Sequence, residues 1–195
     1  MHRKMSLIVE VNAVEYEFLK HVSTTMDAAT LHDVMDRYGN DIWNYAYFLT
    51  KDRELADEIT QDVFVKAYYR IETFRGRSSF KTWLLTIARN TAFRYKRISF
   101  LRRVRLLPSI GADRSGRAVH SAENEYMEET YADDIWEKIM ALPDKYREAL
   151  VLDIRYDLST DAMAKLLNVP AGTVKSRLHR AREKVQRMLK EGSQS

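Results

Sequence analysis

The sequence predicts an all-α protein built from two small helical domains, and three observations lead there. Glycine and proline are scarce, at 6 and 3 in 195 residues. Runs of alternating Val, Ile and Thr are absent. Most of the chain instead sets Leu, Ile, Ala, Tyr and Trp three or four residues apart, the period of a helix with one buried face. With 45% apolar residues the chain can fill a core in each domain.

Residues 1–26 form a weakly patterned extension. From Asp27 the residues Leu31, Val34, Met35, Tyr38, Ile42, Tyr45 and Leu49 recur at helical spacing, which predicts a helix to about Thr50. A second helix is predicted over 52–70, with Leu55, Ile59, Val63 and Tyr69 on its apolar stripe and Asp52 as its N-cap. TFRGRSS breaks the pattern. A third helix starts near Ser78 or Ser79 and aligns Phe80, Leu84, Ile87, Thr91, Tyr95 and Ile98, completing a first domain over 27–99. Helical periodicity is lost over 100–124, where Pro108, Gly111, Gly116 and scattered Ser and Arg read as a flexible linker. It resumes over 125–195, which Pro143, Ser159 and Pro170 divide into helices of about 125–141, 143–155, 159–167 and 171–190.

Several function classes are excluded early. The chain has no cysteine, so disulfides, zinc-thiolate sites and a cysteine nucleophile are ruled out, in keeping with a reducing compartment. No secretory signal is visible and no apolar run approaches the ~18 residues of a membrane span, which reads as a soluble cytoplasmic protein. GADRSGRA at 111–118 is similar to a phosphate-binding loop, but Arg117 and Ala118 stand where Lys and Ser or Thr are needed, and no strand precedes it. The five histidines (His2, His21, His32, His120 and His179) are scattered, and none shares metal-ligand spacing with a carboxylate cluster. No enzyme, metal site or cofactor is expected.

Charge is arranged in blocks. Residues 51–62 carry five acids against two bases, and 89–105 carry seven bases and no acid. Residues 121–139 carry seven acids against Lys138, and 172–190 seven bases against Glu183. Such blocks often mark solvated faces. Two basic stretches on separate helical units also suit a polyanion gripped at two places.

The segment LSTDAMAKLLNVPAGTVKSRL, residues 158–178, reads as helix, tight turn, helix. Ala164, Leu167, Val169, Val174 and Leu178 supply the apolar contacts where two steeply crossed helices meet. On the last helix Val174, Leu178, Ala181, Val185, Met188 and Leu189 share one side. Ser176, His179, Arg180 and Glu183 point the other way, and Lys175, Arg177, Arg182 and Lys184 lie at the flanks. An apolar seam inward and forked donors outward is the layout of a helix that reads the major groove of DNA. The second domain is therefore predicted to be a helix-turn-helix.

PAGTVKSRLHRARE, residues 170–183, resembles the −35 recognition helix of the extracytoplasmic-function (ECF) group of bacterial sigma factors, and residues 30–190 follow that family's order. ADEITQDVFVKAY, residues 56–68, is similar to the family helix that docks on the β′ clamp helices of RNA polymerase. FRGRSSFKTWLLTIARNTAFRYKR, residues 74–97, is similar to the segment that melts and reads the −10 element. The resemblance implies a sigma region 2 domain over 27–99 and a region 4 domain over 125–195. It implies as partners core RNA polymerase (β′ clamp helices and β flap), promoter DNA and an anti-sigma factor.

Site residues follow by position. Thr173, Lys175, Ser176, Arg177, His179, Arg180 and Arg182 would contact −35 DNA. Phe74, Arg75, Gly76, Arg77, Ser78 and Ser79 would form a pocket for an extruded −10 base, with Lys66 and Asn90 beside it. Unstacking a base costs a few kcal/mol, so a place to hold it is required. Lys66, Arg89, Arg94, Lys96 and Arg97 would hold phosphates. Glu54, Asp57, Glu58, Gln61 and Asp62 would give the polymerase-docking face its acidic, hydrogen-bonding character. Trp83 is expected in the core.

Two positions depart from the family pattern: Arg77 stands where many members have an acid, and Ala162 where an acid is common. Residues 1–26 have no family role. The competing reading is a free-standing helix-turn-helix regulator. The first domain argues against it, because an acidic docking helix followed by an aromatic-basic segment is neither a ligand pocket nor a dimer helix.

Overall fold

The computed structural model describes residues 27–105 and 134–192, and its regular elements there are all helical. In chain order they are α1 (Ala28–Thr50), α2 (Arg53–Arg70), a 3-10 turn (Ile71–Thr73), α3 (Phe80–Arg105), α4 (Asp134–Ala141), α5 (Asp144–Ile154), α6 (Thr160–Leu167) and α7 (Ala171–Gly192). The extension 1–26, linker residues 106–124 and the expected first turns of α4 at 125–133 lie outside the described residues.

The first domain is a bundle of α1, α2 and α3. Asp27 starts α1 by accepting from Thr30 N at 2.8 Å. Asp52 does the same for α2, accepting from Leu55 N at 3.0 Å. Each removes one of the orphan amides of a first helical turn. Between them Lys51 takes a left-handed conformation (φ 60°) and reverses the chain. Val34, Tyr38, Ile42, Tyr45, Ile59, Val63, Phe80, Leu84 and Ala88 fill the core between the three helices. Helix α3 runs to Arg105, beyond the point near residue 99 where its apolar period ends. The reason is physical: periodicity records burial, and Ala92 is the last buried residue on α3 among the described side chains, while Leu101 is already exposed. A helix can continue on propensity and hydrogen bonds without a face to bury.

The second domain packs α4, α5 and α6 against α7. Ser159 caps α6 by accepting from Ala162 N at 3.2 Å. Asn168 ends it in the left-handed region (φ 53°), and Val169 N returns to Ala164 O at 3.1 Å. Pro170 O then accepts from Thr173 N and Val174 N to open α7. The two helices meet through Met163, Leu166, Leu167, Val174 and Leu178, all buried.

Helix α5 is unusual in that residues 146–152 are buried without interruption, Arg147 and Glu148 included. A helix buried all round has cover on both sides. One side belongs to α7 and the other to α1 of the first domain. Arg147 Nε donates to Phe48 O near the C-terminus of α1 at 2.6 Å, where a cation suits the helix dipole. Tyr156 OH donates to Asp41 O at 2.6 Å. Trp136 stacks on Phe48, and Tyr156 meets Tyr45 edge-on. The two helical domains are therefore in direct contact.

Candidate nucleic-acid and polymerase interfaces

Helix α7 divides as its sequence pattern requires. Val174, Leu178, Ala181 and Val185 are buried, and Met188 and Leu189 pack partly against them. Lys175, Ser176, His179, Arg180 and Arg182 are exposed, while Thr173 and Arg177 are half-buried at the edges. Ser176 OH is turned back to Thr173 O at 2.9 Å. His179 lies 3.5 Å from Glu183, one turn on. Arg182 pairs with Asp153 at 2.6 Å, which steadies one flank of α7 against α5. The Arg180 guanidinium, with Lys145, holds the pKa of the Tyr146 phenol below the usual value. Lys145 and Lys184 also stand over that ring. The outward face is a row of donors with few acceptors.

In the first domain, FRGRSS crosses from the 3-10 turn to α3. Gly76 has φ +64°, a conformation that L side chains rarely adopt, and open space surrounds the position of a Cβ. Backbone geometry therefore selects glycine there, and the loop top remains approachable. Ser79 OH serves as helix cap, accepting from Thr82 N at 3.1 Å and sharing a bond with Thr82 OH. Ser78 is exposed and bonds Ser79 O. Arg75 and Arg77 are exposed and make no ion pair among the described residues. Phe74 is only partly buried. Its ring meets Phe80 edge-on at 5.3 Å and Trp83 at 5.6 Å, forming the aromatic floor of the loop. Trp83 itself is half-buried on the core.

Asn90 and Arg97 are exposed on α3. The remaining cations of the group are already engaged. Asp62 Oδ2 takes Arg94 at 2.6 Å, Tyr95 OH at 3.2 Å and Lys66 at 3.3 Å. Lys66 also donates to the buried Thr91 OH at 2.8 Å. Burial lowers the Lys66 pKa, against the pull of Asp62. Burial and the Asp62 charge raise that of Tyr95. Arg89 Nε reaches Glu148 at 2.7 Å, and Lys96 reaches Asp144 at 2.7 Å, both across to the second domain.

The acidic helix α2 exposes Glu54, Asp57, Glu58 and Gln61 on one face. Asp57 accepts from the Trp43 indole and so is fixed to α1. Asp62 is turned from that face to the cation group just described, away from the four residues it was grouped with by sequence. Val65, Tyr68 and Tyr69 continue the exposed face toward the end of α2. Among the described residues no cluster of metal-ligating side chains occurs, and no helix is long and apolar enough to cross a membrane.

Residues 34–99 match the family model of Sigma-70 region 2, and residues 132–185 that of Sigma-70, region 4. ECF RNA polymerase sigma factor SigW of Bacillus subtilis is 30% identical over 171 residues, 85% of this chain and 91% of SigW. The ECF RNA polymerase sigma-E factor of Haemophilus influenzae is 32% identical over 172 residues, 84% of this chain and 89% of that one. The chain belongs to the ECF RNA polymerase sigma factors. As an ECF sigma factor it directs promoter-specific transcription initiation by RNA polymerase. Its fold is that of the sigma factor RpoE from Bartonella quintana, solved in complex with the anti-sigma factor NepR (TM-score 0.60, 24% identity, 82% of this chain and 96% of that one). CnrH, solved in complex with the cytosolic domain of CnrY, gives the same TM-score at 19% identity, covering 89% and 96%.

Reading the sequence missed the residues of this sigma factor that join its domains, Arg147 and Glu148 above all. A signal was present in KYREALVL, where two adjacent charges interrupt an apolar run. On an 11-residue helix only burial on both sides places both of them inside.

Proposed function

We propose that this sigma factor reads −35 duplex DNA with the outward face of α7 and holds the opened −10 strand with the FRGRSS loop, Asn90 and the cations of α3. Lys175, Arg177 and Arg180 carry the first task, with Thr173, Ser176, His179 and Arg182 beside them. Arg75, Arg77, Lys66, Arg94 and Arg97 carry the second. Glu54, Asp57, Glu58 and Gln61 dock on the β′ clamp helices of core polymerase, and the second domain on the β flap. The factor works in the cytoplasm, and an anti-sigma factor binds it, as NepR binds RpoE.

The observation that carries this reading is the chemistry of the three exposed faces. The α7 face is cationic beside an apolar seam, suited to a groove. The loop face joins exposed guanidiniums to an aromatic floor and an open glycine backbone, suited to an unstacked strand. The α2 face is acidic and therefore repelled by DNA.

Holoenzyme reconstituted from core polymerase and the full chain tests it on genomic DNA. Transcript 5′ ends should share two upstream elements and be absent with core polymerase alone. Asn90→Ala should then slow permanganate-detectable melting while closed-complex affinity stays within a few-fold, because a pocket for a flipped base gains nothing from closed duplex. Asn90 is the cleaner probe than Phe74, whose ring supports Phe80 and Trp83. Wild-type melting by the Asn90 variant would reduce the loop to a helix connector.

A further inference from the structure

We propose that the second domain is the resting occupant of the −10 backbone site: Asp144 and Glu148 of α5 hold Lys96 and Arg89 as promoter phosphates would, so α5 and the opened strand compete for one surface. The proposal rests on the assignment of α3 to the −10 strand.

Four observations support it. Glu148 is 5% exposed and its Oε1 takes both Arg89 Nε at 2.7 Å and Tyr45 OH at 3.1 Å. Arg89 retains 17% exposure, so its guanidinium is unavailable to DNA while α5 is in place. Asp144 Oδ2 takes Lys96 at 2.7 Å, two turns further along the same helix. Leu49, Ala92, Phe93, Lys96, Asp144 and Glu148 close the seam between the domains.

The closed form cannot read a promoter with both domains. Elements named −10 and −35 stand about 25 base pairs apart, on the order of 80 Å at ~3.4 Å per pair. The longest helix, α3, is about 40 Å at ~1.5 Å per residue, so two domains in contact cannot span the distance. The chain can open: the 28 residues between Arg105 and Asp134 reach up to about 90 Å when extended.

The chemistry of the seam suits exchange. Arg89 and Lys96 trade a carboxylate for a phosphate, and the freed carboxylates return to water. A well-bonded buried ion pair adds little net stability, because desolvation offsets its Coulomb gain, so such an interface can hold and still let go. On α7, Lys175, Ser176, His179 and Arg180 stay exposed in this arrangement. The closed factor therefore keeps exposed duplex-reading cations and lacks two of its strand-holding ones, Arg89 and Lys96.

The absence of cysteine makes the test direct. Dyes on the full chain at Glu72→Cys and Lys190→Cys, both exposed positions, report interdomain distance by energy transfer. Transfer should be high in the free protein at low salt, and should fall in Asp144→Asn and Glu148→Gln. Asp144 has a largely exposed side chain, so its variant remains informative if the Glu148 variant folds poorly. The same variants without core polymerase should bind the −10 single strand of a promoter found with the holoenzyme about tenfold more tightly. The swap Arg89→Glu with Glu148→Arg should restore transfer without restoring strand binding, since it rebuilds the seam and not the phosphate site. Unchanged transfer in both carboxamide variants overturns the proposal. So does lost transfer with no gain in strand binding, because α5 would then cover α3 without competing. Failure of the −10 assignment is seen separately, in a holoenzyme whose melting is indifferent to Arg94→Ala and Asn90→Ala.

Discussion

Helices α3 and α7 are both basic, but their cations are in different states. On α7 the donors Lys175, Arg177 and Arg180 make no ion pair among the described residues, while Arg182 is tied to Asp153. On α3, Arg89, Arg94 and Lys96 each sit on a carboxylate. The contrast matches two kinds of target. Duplex phosphates and groove edges are always present, so a reader of duplex gains from a preformed, solvated face. An opened strand appears only after polymerase has acted, and a surface made for it stands idle until then. Carboxylates that fill it in the meantime keep the guanidiniums oriented and keep a strongly positive patch from binding other polyanions.

The largest way to break this contrast is at Arg147. Its guanidinium is 2% exposed and donates to Phe48 O across the seam, to Leu142 O within its own domain and to Asp144. Arg147→Ala takes this donor from the carbonyls of Phe48, Leu142 and Met140 and leaves a void beneath α1. The expected loss is about 3 kcal/mol, a fall in melting temperature of about 10 °C for a chain this size. Glu148→Gln next to it removes the charge that faces Arg89 but keeps an acceptor for Tyr45, so it should cost less than Arg147→Ala. A thermal scan distinguishes the two. If Arg147→Ala melted with the wild type, α5 would not rest on α1 in solution, and the covered state of α3 would be lost with it.

What could be read in the sequence, and what could not, follows the same line. The caps Asp52 and Ser159, the seam of α7 and the turn at Asn168 were legible because each depends on neighbours a few residues away. The Glu148 contacts were not, since Tyr45 lies 103 residues off and Arg89 59. Asp62 is an intermediate case. Its helical face was predicted, but side-chain direction near the edge of a stripe is set by whichever partner stands there, and three donors on one side decided it. The extent of α3 was underestimated because apolar spacing marks where a helix is covered rather than where it stops.

A smaller effect sharpens the α7 side. Lys175→Ala and Arg180→Ala should each weaken binding of holoenzyme to −35 duplex about tenfold, and a variant that removes a phosphate contact should reduce the salt slope by about 1. Neither should alter transfer between the domains or affinity for core polymerase, because both side chains are exposed and neither pairs with the first domain among the described residues. A filter-binding series over salt concentration measures it. An equal loss of core binding would mean that α7 also serves the polymerase, and the division of labour between the two basic helices would have to be redrawn.

The smallest expected effect sits where the two faces of the first domain meet, at Asp62. If its task is to hold Arg94, Lys66 and Tyr95, then Asp62→Asn should leave core-polymerase affinity within about twofold and change only −10 strand binding. A neutral amide still accepts a hydrogen bond but no longer competes electrostatically with a phosphate, so strand binding should tighten about threefold. Glu54→Lys and Glu58→Lys should do the reverse, weakening core binding and leaving the strand alone. They test docking better than Asp57, whose reversal also removes the acceptor of the Trp43 indole and so disturbs the α1–α2 contact. Competition for core polymerase, measured beside strand affinity for all three variants, decides the matter. Should Asp62→Asn lose core binding as Glu58→Lys does, the carboxylate would leave Arg94 on docking and join the acidic face, and the line between the docking and melting surfaces would run through α3 instead of α2.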